Sequence, residues 1–261
     1  HQDSNNTAIL ANKVTEECAF KDIIYSGIIV SDATGSESSV GGLISNVEAK
    51  DFMQYFYNTK ANGVEIHAPL AAHAGGLIGK STPINFQGAS NTNTVMHIKQ
   101  VDGGTISGGL IGYYSVVGVP EYYVRNIKMN VENIYCSRFC GGLLGYVSFR
   151  EVNAQFVNIY NRVNTIELRN YSQSNDVKTN GISGVGGLIG NIDGSSTVNM
   201  HSIVSQINRI KGMPTQDCLS INSKGSCYTG GVIGGIINGH IRITDLLSSV
   251  NILEGDYTGG C

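Results

Sequence analysis

Gly108-Gly109-Leu110-Ile111-Gly112 is a pentapeptide that returns along the chain. Its other copies are Gly41-Gly42-Leu43-Ile44-Ser45, Gly75-Gly76-Leu77-Ile78-Gly79, Gly141-Gly142-Leu143-Leu144-Gly145, Gly186-Gly187-Leu188-Ile189-Gly190 and Gly230-Gly231-Val232-Ile233-Gly234. A stub, Gly259-Gly260-Cys261, ends the sequence. The first glycines are 34, 33, 33, 45, 44 and 29 residues apart. A near-fixed period in this range marks a repeat architecture, in which no unit buries a core alone. The 261 residues therefore read as one domain.

The segments between copies share a second pattern. Val124-Arg125-Asn126-Ile127 leads to Val131 and Ile134, and Phe156-Val157-Asn158-Ile159 leads to Val163, Asn164 and Ile166. Met200-His201-Ser202-Ile203 leads to Ile207, Asn208 and Ile210, and Ile243-Thr244-Asp245-Leu246 to Val250, Asn251 and Leu253. The step of four keeps one face of a strand, whereas the odd step of three needs a bend or bulge. Each segment thus reads as two short strands joined by a corner. Recurrent β-branched residues and asparagines, with glycine in every unit, exclude a helical array. A four-stranded propeller blade needs about 40 residues. The expected fold is all-β, a single parallel β-solenoid (β-helix) of about six coils with a period near 33 residues. Residues 1–15 form an N-terminal arm or atypical end unit, and 16–261 the repeat domain. The 45- and 44-residue units gain their length as polar loops at 170–183 and 212–229. Insertions at one phase of a repeat emerge on one face, often the binding face.

The paired glycines are expected to permit positive φ and close approach of neighbouring coils. Leu43, Leu77, Leu110, Leu143, Leu188 and Val232 would stack as an internal ladder. If they share a strand with the next residue, Ile44, Ile78, Ile111, Leu144, Ile189 and Ile233 point the other way. That second stripe is then either an assembly surface or a second core side covered by loops.

With these motifs the chain resembles the GLUG-motif repeats of adhesin-like surface proteins, over residues 40–260. The long Tyr-rich middle sections, the two insertions and the cysteines depart from that pattern. The resemblance implies a secreted or surface-displayed β-rich repeat and carries over no catalytic residues.

Charged residues make up 14% of the chain, against about 25% in an average soluble domain. The 17 basic and 20 acidic residues give a net charge of −3, with no basic stripe for nucleic acid. No apolar run approaches the ~18 residues of a membrane span. No catalytic, cofactor-binding or metal-binding set is read. Asp22 and Asp245 share a repeat phase with Asn126, Asn158 and Ser202, which suits side chains bonding the backbone at a corner better than a cation ladder. His67, His73, His97, His201 and His240 are expected in loops or solvent. Lys80-Ser81 after Gly79 makes only a fragment of a phosphate cradle, since no helix follows. Tyr55, Phe56, Tyr57, Tyr113, Tyr114, Tyr122 and Tyr123 read as core or rim packing before sugar-stacking platforms.

Six cysteines allow 15 pairings. Cys218 with Cys227 would staple the second insertion, and Cys136 with Cys140 would close a tight turn, leaving Cys18 and Cys261 at opposite ends. Asn5 and Asn170 begin glycosylation sequons. The expected function is an extracellular or cell-surface structural or adhesive protein, not an enzyme, with surface glycans as possible partners. The 20–30 segment lacks a Gly-Gly strand before it, and the C-terminal stub begins one. The two ends would complete one coil between neighbours, giving a head-to-tail homopolymer with Cys18 near a neighbour's Cys261. The alternative is a carbohydrate-binding or polysaccharide-cleaving β-helix.

Overall fold

Each Gly-Gly pair sits at a corner. The structure, a computed structural model, describes residues 5–48, 54–82, 84–87, 94–118, 121–169, 171, 183–212, 227–255 and 258–259. The first glycine of each pair closes a short strand, and the residue after the leucine opens another. Asn6–Ala8, Ser39–Gly41, His73–Gly75, Ile106–Gly108, Phe139–Gly141, Ser183–Gly186, Cys227–Gly230 and Thr258–Gly259 lie side by side as sheet A. Ala11–Val14, Ile44–Val47, Ile78–Ser81, Ile111–Val117, Leu144–Arg150, Ile189–Asp193 and Ile233–Ile237 form the seven-stranded sheet B. Longer strands, among them Glu121–Cys136, Asn153–Leu168, Thr197–Lys211 and His240–Glu254, form sheet C. The pairings are parallel, and all regular structure among the described residues is strand. The chain visits A, B and C in that order once for each of the seven strands of sheet B.

At every corner one carbonyl accepts two N–H groups from the preceding pass. The amides of Leu110 and Ile111 both donate to Leu143 O, at 2.9 and 3.2 Å, and those of Leu143 and Leu144 to Leu188 O. The bend therefore falls at Gly109-Leu110, between the strand that Gly108 closes and the strand that Ile111 opens. This corrects the expectation of an outward stripe. Ile44, Ile78, Ile111, Leu144 and Ile189 are as buried as the leucines, because the corner turns the chain between the two ladders and both face inward. Alternation along a strand does not apply, because the leucine lies in the bend and the isoleucine opens the next strand.

The glycines are required by proximity. None of the described glycines in the Gly-Gly pairs has a positive φ, contrary to the first expectation. A Cβ on Gly109 would overlap the carbonyl oxygen of Gly142 in the next pass, and one on Gly142 the carbonyl oxygen of Gly187. A Cβ on Gly108 would lie 2.7 Å from the amide nitrogen of Gly145. Neighbouring passes thus touch backbone to backbone.

Seven passes are present among the described residues, where about six coils were expected, because the first one lacks the glycines. Ala8 pairs with Gly41 and Ala11 with Ile44, so Ala8-Ile9-Leu10-Ala11 stands where the motif stands elsewhere. Having its own strands in A and B, this pass is no half-coil awaiting a neighbour, and the complementary-ends argument fails. Within the 1–15 stretch, residues 6–8 and 11–14 pair with the second pass.

Sheet C bends twice. The first bend carries a short polar residue in left-handed conformation, with φ of 57° at Asn126, 54° at Asn158, 55° at Ser202 and 54° at Asp245. Asp22 and Asn58 repeat this at 55° and 48°. Asn and Asp tolerate this region best among non-glycine residues. Their side chains bond one another across passes: Asn158 Nδ2 donates to Asn126 Oδ1 at 2.8 Å, and Asn58 Nδ2 to Asp22 Oδ1 at 2.8 Å. The second bend is the odd step read from the sequence. Val131 and Ile134 are both buried, and Glu132 and Asn133 between them both turn out.

Cys136 and Cys140 are joined across the corner from C to A, with Cα atoms 5.8 Å apart. Replacing both with Ala is expected to cost about 2 kcal/mol through the freed denatured chain. Urea unfolding checks this, and an unchanged midpoint would show that hydrogen bonds alone hold the corner. Cys227 is disulfide-bonded to a partner outside the described residues, where Cys218 and Cys261 also lie, and Cys18 is unpaired. Both insertions replace the same short C-to-A connection, between Leu168 and Ser183 and between Lys211 and Cys227. Apart from Tyr171 and their end residues, their course lies outside the described residues.

Candidate functional site: a polar groove on sheet C

The bare backbone of the second glycine decides the outer shape of sheet C. Positions for a Cβ on Gly109, Gly142 and Gly187 lie 3.0 Å from Val131 Cγ2, Val163 Cγ2 and Ile207 Cγ1. With no side chains beneath them, these branched residues sink onto the corner and draw the sheet inward. The residues on either side stay outside and become two rims.

One rim is a register column in which His97, Asn130, Arg162, Gln206 and Ser249 follow one another across successive passes. The other is Glu132, Asn164, Asn208 and Asn251. The groove between them has a volume of about 840 Å3. Its second rim is an amide ladder: Asn208 Nδ2 donates to Asn164 Oδ1 at 3.0 Å, and Asn251 Nδ2 to Asn208 Oδ1 at 3.2 Å. On the first rim Tyr160 Oη donates to Gln206 Oε1 at 2.9 Å and fixes that amide. His97 Nε2 lies 3.8 Å from Glu132 Oε1. Glu132 and Arg162 balance each other, so the groove carries little net charge.

A second polar band follows towards sheet A. Asp102, Tyr135, Glu167, Lys211 and Glu254 are in register there. Glu167 is held by Lys211 at 2.7 Å and by Arg169 at 3.3 Å, and the Arg169 guanidinium lies over the Tyr135 ring. Tyr171 donates to Asp102, whose carboxyl is pushed above the usual range by burial. Asp102 and Glu167 are two passes apart, about 10 Å at the ordinary strand spacing. Both carboxyl groups are engaged by neighbouring side chains. Among the described residues no group of three or more His, Cys, Asp or Glu could hold a metal ion. No helix among them is long and apolar enough to cross a membrane.

The aromatic residues divide between core and rim. Phe56 and Tyr114 are fully buried, while half-buried Tyr113 stacks on Tyr146 at 5.5 Å. Asn5 is exposed just before the first strand, and Asn170 lies outside the described residues. His73 corrects another expectation: it is buried in sheet A, with Nδ1 3.2 Å from Ser38 O. Burial first, then nearby Lys80, lowers its pKa to about 3. Unfolding frees it to bind a proton below its usual pKa near 6.5. Stability is therefore full above that pH and is lost as pH falls towards 3, by up to about 1.4 kcal/mol per unit. Urea midpoints of the wild type between pH 7 and 4 should fall more steeply than those of His73→Leu. Parallel slopes would contradict the assignment.

The groove's amide rim had a readable signal, an asparagine directly after the branched residue in three consecutive units: Val163-Asn164, Ile207-Asn208 and Val250-Asn251. His97, Asn130, Arg162 and Gln206 had none, because they differ in chemistry and share only register. No protein-family model matches the sequence, and no curated protein or solved structure matches the chain.

Proposed function

We propose that the chain is a single parallel β-solenoid of the GLUG-motif kind, acting outside the cell or at its surface as a structural or adhesive repeat domain. The observation that carries this reading is the in-register polar face of sheet C, laid over a continuous apolar core. Such a surface offers several weak polar contacts in a row, which suits adhesion better than a single reactive centre. The Cys136–Cys140 disulfide and the low charge support an oxidising, extracellular setting. No cofactor and no catalysis enter this reading.

End-to-end self-association is part of the proposal, through open sheet edges. The first pass exposes Ile24, Ile28 and Val30, and the seventh exposes Ile236, Leu247 and Ile252. Parallel edges of this kind are templates for pairing. Sedimentation should show mass rising with concentration, and a monomer throughout would remove this element. For adhesion, beads coated with folded chain should be retained on intact cells, and beads coated with heat-unfolded chain released. Equal retention would contradict the reading.

A further inference from the structure

Building on the adhesive reading, we propose that the sheet C groove binds one extended, uncharged polysaccharide chain lying across the strands, one sugar per pass. Three features select this ligand. First, the rims repeat with the passes, about 4.8 Å apart, close to the advance of an extended pyranose chain per ring. Second, each bonded asparagine of the ladder Asn164–Asn208–Asn251 keeps donor and acceptor capacity facing out after its bond to its neighbour. Hydroxyl groups, which both donate and accept, match such amides. Third, the charges of Glu132 and Arg162 cancel, which disfavours polyanions. A nucleic acid would need a basic stripe. An extended peptide adds to a sheet edge, whereas this groove crosses the face of a sheet whose strands are already paired. The geometry also gives polarity: the amides of Asn208 and Asn251 both donate towards the earlier pass, so the two directions of a sugar chain are not equivalent.

The test is calorimetric titration of the whole chain with cellohexaose, β-1,4-mannohexaose and chitohexaose, their disaccharides, and heparin as a polyanion. At least one hexaose should bind, about tenfold or more tighter than its disaccharide, and better than heparin. The double substitution Asn164→Ala and Asn208→Ala should weaken that binding about tenfold or more. Both residues are exposed, so the thermal midpoint should stay unchanged. No hexaose bound at ~1 mM, tighter binding of heparin, or binding indifferent to the double substitution would overturn the proposal. Bead adhesion without hexaose binding would sink the groove and leave the adhesive reading intact. Hexaose binding through Asn164 and Asn208 without bead adhesion would do the reverse.

Discussion

Gly109→Val is expected to destabilise the folded state severely. The position has no special φ, so the effect rests on space alone. Any Cβ there overlaps the Gly142 carbonyl oxygen and presses on Val131 and Met129. The oxygen belongs to a backbone that is itself hydrogen-bonded at its own corner, so it has nowhere to retreat. Overpacking of flexible cores costs about 1–3 kcal/mol, and a collision with fixed backbone should exceed that, near 4 kcal/mol or more. The alanine variant gives a sharper test through its sign. Gly→Ala at an unstrained, open position stabilises by about 0.4–1 kcal/mol. Gly109→Ala should instead destabilise, and a raised urea midpoint would show that the passes are not in contact there.

Ile111→Asp should have a comparable effect for a different reason. Ile111 opens its sheet B strand with no exposed surface. Removing the side chain costs about 2–5 kcal/mol, and an unpaired carboxylate in its place adds the cost of desolvation. Circular dichroism should report an unfolded or strongly destabilised chain. The same variant separates the two fates considered for this ladder. On an assembly surface it would leave a folded monomer and abolish oligomers, and sedimentation would show that outcome directly.

Much of the fold was legible because close contact leaves a mark in composition. Only glycine fits where Gly109 meets Gly142, so the corner repeats in the sequence as Gly-Gly. The bend between Val131 and Ile134 was legible as a step that breaks alternation. What stayed hidden depended on position in space. Whether Ile111 faces in or out turns on where the chain bends, and the bend lies one residue before it. Ala8-Ile9 escaped notice because this end pass carries no glycines. His73 reads as a loop residue until sheet A places it between Ser39 and Ile106. The groove is harder still: it is a dent made where Val163 settles on Gly142, two residues far apart in the sequence that only the third dimension joins.

The central claim, that all passes stack as one continuous coil, can be measured along a single register column. Lys21, Tyr57, Gln87, Arg125, Val157, His201 and Thr244 follow one another on sheet C. With Cys18 replaced by Ser, spin labels at Lys21→Cys paired with Val157→Cys, His201→Cys or Thr244→Cys report the separations by pulsed electron resonance. Stacked passes predict about 19, 24 and 29 Å between backbone positions, an increment of ~4.8 Å per pass. Distances that fail to rise in equal steps from Val157 to Thr244 would contradict the stack.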